Sequence, residues 1–493
     1  MAAANDCGSV SAAAWVRVPI FRRASLATGT AIYLWGATSL AQPQTETPGA
    51  QPDFSAGLWT RGNLLGDPGG VRSELWNLGI TLGLQDTNEV WGNVSGGVRQ
   101  GASYDGLTLM GIGIDTQRAF GWQGGIVNVS ALQIRGRNIA VDNLLTLQTP
   151  SSILAQPTTR LWEVWFQQSF LDGRLDLKLG QQSIDLEFIT SAGSGLFLNS
   201  VMGWPMLPTA DLYAGGPSYP LSSLGVRLRA QPGGGFTTLL GVFDDNPPGG
   251  PFNDDSQLRG SSRWGGNFSL RTGALVIGEV QYALNPPGNG EMASAGAGTG
   301  GLPGTYKLGF WYDSGAFPDQ RFDNIGRLLA DPASTRTPAL LRNNFSVYAV
   351  ADQMVWRPTE NSPRAVDVFA RVMGAPGDRN LISFSVNAGV TLKAPFEGRD
   401  DDTVGIGFGI ARVSSGARAF DVDVATFSAV PSFVRSTETF IEVTYQASVA
   451  PWWQVQPDFQ YVFNPAGGVA NPNDPTRRIG NEAIFGLRNV ITF

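Results

Sequence analysis

The chain has no histidine and a single cysteine, Cys7, among its 493 residues. Without histidine there is no Ser-His-Asp hydrolysis and no imidazole-bound zinc. Cys7 lies upstream of an expected leader cleavage, so the mature chain has no thiol for disulfides, nucleophilic catalysis or thiolate metal sites. No cofactor and no enzymatic activity are expected. Charge is scarce as well, at 15% against roughly 25% in an average soluble domain. No part of the mature chain offers the roughly 18 consecutive apolar residues that a spanning helix needs, and mean hydropathy is only -0.05. The balance is acidic, with a net charge of -7, and removing residues 1–41 takes away three arginines and Asp6, leaving it more so. Nucleic acid is therefore not expected as a partner.

What the chain does have is glycine and aromatics: 63 Gly, 27 Phe, 14 Trp and 10 Tyr. Its last stretch, residues 481–493, puts Ala483, Phe485, Leu487, Ile491 and Phe493 on one face and Glu482, Gly486 and Arg488 on the other. About ten alternating residues ending on an aromatic read as the closing strand of an outer-membrane β-barrel. A barrel hides its hydrophobicity, because lipid-facing and lumen-facing residues take turns and average out.

Three segments are expected. Arg17, Arg22 and Arg23 precede an apolar stretch at 24–35 and the small residues Ser39-Leu40-Ala41, which reads as a secretory signal peptide over residues 1–41, removed on export. Residues 42–79 form a periplasmic leader and a short amphipathic helix, with Val71, Leu75 and Leu78 on one face and Gly79 as the stop. That helix reads equally as a cap on the barrel mouth or as a surface helix. Residues 80–493 form the barrel, so the fold class is all-β, a transmembrane antiparallel β-barrel of about 16 strands with a short N-terminal periplasmic helix.

The strand number follows from loop parity. A first count of periodic segments gives about 18, with short turns and long loops falling on the same side, whereas barrels of this type separate them. Merging 80–87 with 94–103, and treating 265–283 as one strand, gives about 16 and restores the separation. The long connections 136–159, 182–221, 244–264, 314–343, 414–436 and 464–481 then share the outer rim, and the tight turns share the periplasmic one. The connection 285–303 stays long for a turn.

A barrel this wide leaves an aqueous channel, so function depends on what narrows it. The longest connection, 182–221, carries Phe188, Phe197, Trp204, Tyr213 and Tyr219 and is expected to fold into the lumen. On the strand at 161–170, placing Trp162, Val164 and Phe166 toward lipid turns Glu163, Trp165 and Gln167 inward. An indole face beside a carboxylate and an amide suits a sugar, with an apolar surface for C–H groups and acceptors and donors for hydroxyls. Alternation also turns Lys178, Arg227 and Arg229 inward, with Lys307, Trp311, Arg371, Asp367 and Glu442, and it turns Arg135 inward if Leu132 and Ile134 face lipid. The commoner role of such charges is to pair with one another along the wall. Trp452 and Trp453 read as interfacial girdle aromatics. Asp185 and Glu187 fit a paired-acid spacing but equally chance, and Asp400-Asp401-Asp402 reads as a solvated turn.

Several stretches resemble the carbohydrate-selective porin family of the OprB type. They are Gly92-Asn93-Val94-Ser95-Gly96-Gly97, Asp115 with Gly121-Trp122-Gln123-Gly124-Gly125, Leu161-Trp162-Glu163-Val164-Trp165-Phe166-Gln167-Gln168, Gly216-Pro217-Ser218-Tyr219-Pro220, Leu302-Pro303-Gly304-Thr305-Tyr306-Lys307 and Gln456-Pro457-Asp458-Phe459-Gln460-Tyr461. They run in order over residues 57–493, and Glu163 and Trp165 fall on the family motif. The resemblance implies a monomeric porin in the outer membrane of a Gram-negative bacterium, surrounded by lipid and lipopolysaccharide, that lets glucose and related monosaccharides diffuse into the periplasm past a narrow eyelet of charges and aromatics. Two departures are Ala394-Pro395-Phe396 in place of a Gly-rich turn and a Gly/Ala-rich insertion at 288–301. The alternatives are a porin of this scaffold for other small polar solutes such as organic acids or, in another class, a barrel adhesin or enzyme.

Overall fold

The computed structural model describes residues 57–252, 264–266, 268–286, 301–359, 362–428 and 432–493. The signal peptide, most of the leader and the insertion at 288–301 lie largely or wholly outside the described residues. Period-two alternation produces strands throughout. They are β1 (Ile80–Gly97), β2 (Gly101–Asp115), β3 (Gly125–Gly136), β4 (Thr158–Phe170), β5 (Leu175–Gln182), β6 (Ser223–Gly233), β7 (Phe236–Asp244) and β8 (Ala274–Leu284). The second half adds β9 (Gly304–Asp323), β10 (Pro338–Trp356), β11 (Ala365–Gly374), β12 (Ile382–Lys393), β13 (Thr403–Val413), β14 (Thr437–Ala450) and β15 (Trp453–Phe463). A small hairpin, β16 (Ala470–Asn471) with β17 (Asp474–Arg478), precedes the last strand, β18 (Gly480–Thr492).

β1 to β15 and β18 make one closed antiparallel barrel in which each strand pairs with its neighbour in sequence and β18 closes on β1. Closure satisfies every edge, which is the condition for crossing a bilayer with strands. The seam runs through Val90 opposite Leu487 and Asn88 opposite Asn489. At its end the Phe493 amide donates to Leu84 O at 2.9 Å and the Phe493 carbonyl accepts from Arg72 Nη2 at 2.7 Å. Trp452 and Trp453 stack with centroids 5.9 Å apart at the neighbouring turn.

The sixteen-strand count expected from loop parity holds, but two of the segments behind it do not. Residues 98–100 turn the chain, so 101–103 open β2 instead of prolonging β1, and β8 begins at Ala274, not at 265. The 20 residues of β9 and 19 of β10 carry a hairpin beyond the rim and shorten the 314–343 connection to 324–337. A bidentate pair, Arg321 with Asp423 at 2.7 and 2.9 Å, ties this hairpin to a helix at Ser415–Phe427. The N-terminal helix spans Val71–Asn77 and buries none of its residues. Gly79, at φ 76°, stops it where a Cβ would stand 2.6 Å from Asp115 O. It lies as a surface helix at the rim where β18 ends, held by Arg118 stacked 3.8 Å over Trp76.

Candidate functional site

Two connections leave the rim opposite the N-terminal helix and enter the lumen. Residues 183–222 are almost wholly buried and join wall residues in one apolar core that includes Phe188, Phe197, Trp204, Phe369 and Phe440. Residues 137–157 go in beside them, which the sequence reading did not anticipate: Gln148 N donates to Glu438 at 2.7 Å, Gln460 Nε2 to Pro150 O at 2.7 Å and Tyr219 Oη to Ile153 O at 2.9 Å. The loop amides are met by wall carboxylates because a buried N–H must find an acceptor.

Beside this filling stands a ladder of charge on the inner faces of β4, β5 and β6. Strand register builds it directly: Gln167 lies opposite Lys178 and Lys178 opposite Arg227, while Asp176 lies opposite Arg229. Arg227 pairs with Asp176 and, at 2.5 Å, with Glu187, and donates to Gln167 Oε1 at 2.9 Å. Lys178 reaches Glu187 at 2.6 Å and stands 4.5 Å over the Trp165 ring. Arg229 reaches Asp176 at 2.6 Å. Glu163 accepts from Ser183 N at 3.0 Å. Gly180, at φ 128°, lies where a Cβ would come within 2.8 Å of Trp165 Cα, so only glycine lets β4 and β5 close here.

Six expected residues, Glu163, Trp165, Gln167, Lys178, Arg227 and Arg229, are thus brought together. Of the set, only Arg229 and the loop residue Glu187 keep appreciable side-chain exposure, 17% and 16%; Trp165 is buried under Lys178. Burial pushes the Glu187 carboxyl up, but Lys178 and Arg227 outweigh it and hold it at about 2. Glu187 was set beside Asp185 as chance pairing. Nothing in the sequence says that a loop residue would return to β5 and β6, although Asp176 could have been found, since it shares a strand face with Lys178.

Two orientations are corrected. Trp162 does not face outward. A bulge sets Ser130 opposite Glu163 and Ala131 opposite Leu161, the extra residue reverses the alternation, and Trp162 packs edge-on to Tyr219 at 6.3 Å. Arg135 does not face the lumen. Leu132 and Ile134 are buried with Leu107, Leu109, Ile153 and Tyr219 beneath the infolded loops, so Arg135 takes the outer face, shared with Val129 on β3 and with Val90, Met110 and Ile112 on β1 and β2. There it donates to Asp86 at 2.8 and 3.0 Å, Asn88 at 2.8 Å, Thr108 at 2.8 Å and Tyr104 at 3.0 Å. Lys307, Arg371 and Glu442 do face inward, where they hold the loops. The Asp400 turn is only partly solvated, since Asp402 is buried against Arg399 at 2.8 Å.

A closed barrel of sixteen strands whose lumen is narrowed by its own loops and lined by paired charges is a porin. Comparison with known proteins narrows the class. The description "Carbohydrate-selective porin, OprB family" matches residues 99–493. Porin B of Pseudomonas aeruginosa is 23% identical over 433 residues, 82% of this chain and 87% of that protein. A putative porin, QuiX, of Acinetobacter baylyi is 22% identical over 445 residues, 85% and 92% of the two chains. The high-pH structure of Pseudomonas putida OprB superposes with a TM-score of 0.76 at 23% identity, over 89% of this chain and all of that one. The chain belongs to the carbohydrate-selective porin family, OprB type. It is a channel protein and not an enzyme, and its family and barrel are those of outer-membrane proteins.

Proposed function

We propose that this porin passes monosaccharides, glucose and related sugars, by passive diffusion across the outer membrane of a Gram-negative bacterium. In this reading residues 1–41 are removed on export, 42–79 stay periplasmic and 80–493 sit in the membrane as a monomer, in contact with lipid and lipopolysaccharide. The observation that carries it is the charge balance of the ladder. Lys178, Arg227 and Arg229 all pair with Asp176 or Glu187, and Glu163, which accepts from the Ser183 amide, adds a third carboxylate on the same face, so three cations stand among three carboxylates. A wall paired in this way gives no ion an uncompensated partner, yet it is dense in groups that exchange hydrogen bonds with hydroxyls. That favours neutral polyols over organic acids, whose carboxylates need a free cation. Arg229 and Glu187 meet the solute first, and Trp165, Glu163, Gln167, Lys178 and Arg227 form the layer behind them that sets their geometry.

Planar-bilayer recording with glucose titrated against ion current tests this. Partial, saturable block is expected, and Trp165→Ala weakens it while the barrel stays folded. Absence of block at any glucose concentration, with block by an organic anion, would put the anion-porin reading in its place.

A further inference from the structure

Loop 183–222 crosses the lumen to the far wall, and charges that engage its peptide groups hold it there. Arg371 on β11 is buried. Its Nη2 donates to Val201 O and Met202 O, each at 2.7 Å, and its Nη1 to Gly203 O at 2.9 Å and Ile189 O at 3.3 Å. The neighbouring carboxylate, Asp352 on β10, is engaged by the loop itself, through Gly193 N at 2.9 Å and Ser191 Oγ at 2.6 Å. Amides from the same stretches go to acids: Ile189 N to Glu279 at 2.9 Å and Leu198 N to Glu442 at 2.5 Å.

We infer that Arg371 is a positioning residue that sets the aperture of the channel by gathering four loop carbonyls onto one guanidinium. This rests on the reading of loop 183–222 as the constriction of a sugar channel. The carbonyls come from two separate places, residue 189 and residues 201–203, the last turn of a short helix at Ser200–Gly203. Four carbonyl oxygens converging on one buried spot repel each other unless a cation with several directed donors sits between them. The planar five-donor fork of arginine meets that need and the three donors of lysine do so only in part. Ile189 also has φ 60°, a left-handed backbone that a β-branched side chain adopts only when its surroundings hold it there. Arg371 on its carbonyl and Glu279 on its amide are what hold it.

Arg371→Met is the test, read by single-channel recording together with the heat-modifiability of the barrel on gels. The barrel should stay closed while conductance rises roughly twofold or more, with added open-channel noise, as the loop leaves the wall. Arg371→Lys should fall between wild type and Met, and it carries the test if the Met variant does not fold. A tether gives the second arm. A Cβ on Gly193 would stand 3.0 Å from the Phe369 Cβ, so a retreat of the loop by about 0.5–1 Å brings the pair to disulfide spacing, and Cys7 is the chain's only native cysteine. Gly193→Cys with Phe369→Cys, oxidised in the Arg371→Met background, should restore low conductance, and reductant should abolish the restoration. Unchanged conductance and noise in both Arg371 variants overturn the inference even if glucose blocks the wild type. Raised conductance in a channel that glucose never blocks upholds Arg371 as the loop anchor and removes the sugar reading alone.

Discussion

Two walls of this barrel carry an arginine locked to an aspartate on another strand, and they face opposite ways. On β5 and β6, Arg227 and Asp176 point into the lumen and share Glu187 and Gln167 with it. On β1 and β3, Arg135 and Asp86 point outward across β2, with the guanidinium lying over Gly106, where a Cβ would meet Arg135 Cζ at 2.8 Å. Both walls alternate with the same period. What differs is the cover on the inner side. Beneath β2 and β3 the infolded loops bring Ile153 and Tyr219 against Leu107, Leu109, Leu132 and Ile134, so the lumen face there is an apolar core. Beneath β5 and β6 the loop brings a carboxylate, and the lumen face is ionic. Alternation sorts residues into two faces, and the partner packed against them decides which face is inside.

Removing the inner arginine is expected to have the largest effect. Arg227→Met leaves Asp176 buried and short of a partner and takes one cation from Glu187, a change that costs about 3–5 kcal/mol when a buried pair is broken from one side. Urea unfolding in detergent or vesicles should show it, together with a shift in reversal potential toward cations. A loss under about 1 kcal/mol would mean that the ladder is solvated like a surface pair, and the contrast between the two walls would collapse.

Next in size is a pH effect confined to the infolded loop. Burial raises the Asp185 carboxyl to about 6 against hydrogen bonds from Ser183 and the Tyr219 amide. A carboxyl raised in the folded state favours the packed loop below its unfolded pKa, and that contribution is lost as pH rises through about 6. Glu187 behaves in the opposite sense: held at about 2, it stabilises the packed loop above its unfolded pKa and loses this as pH falls toward 2. Loop packing should therefore weaken by about 1 kcal/mol between roughly pH 5 and pH 7 and then level off, seen as rising open-channel noise. Asp185→Asn should flatten that rise; noise that still climbs in the variant would assign it to another group.

The barrel class, its sixteen strands and the closing role of residues 480–492 were legible because alternation and loop parity are local patterns that closure must respect. The inner set at Glu163, Trp165, Gln167, Lys178, Arg227 and Arg229 was legible for the same reason, since β4, β5 and β6 keep a simple register through these residues. Trp162 was misread because a single extra residue at a bulge shifts the alternation of the residues before Glu163, and no composition marks it. Arg135 was misread because Leu132 and Ile134 look lipid-facing until loop 137–157 is known to lie on them. Glu187 was invisible as a ladder member, since its partners are contributed by strands on either side of a loop that returns.

The smallest effect separates the walls most cleanly. If Arg135 and Asp86 face the bilayer, Arg135→Gln leaves a carboxylate in contact with lipid, which costs up to about 2 kcal/mol on a barrel's outer face and less near the interfaces. Asn88, Thr108 and Tyr104 remain to solvate Asp86, so the loss should sit near about 1 kcal/mol. Adding Asp86→Asn removes the charge and should restore stability to within about 0.5 kcal/mol of wild type, so the two changes are strongly non-additive. Conductance and glucose block should not move in either variant, because nothing on this face reaches the lumen. Altered block in Arg135→Gln would return the residue to the channel and undo the assignment of the two faces from packing.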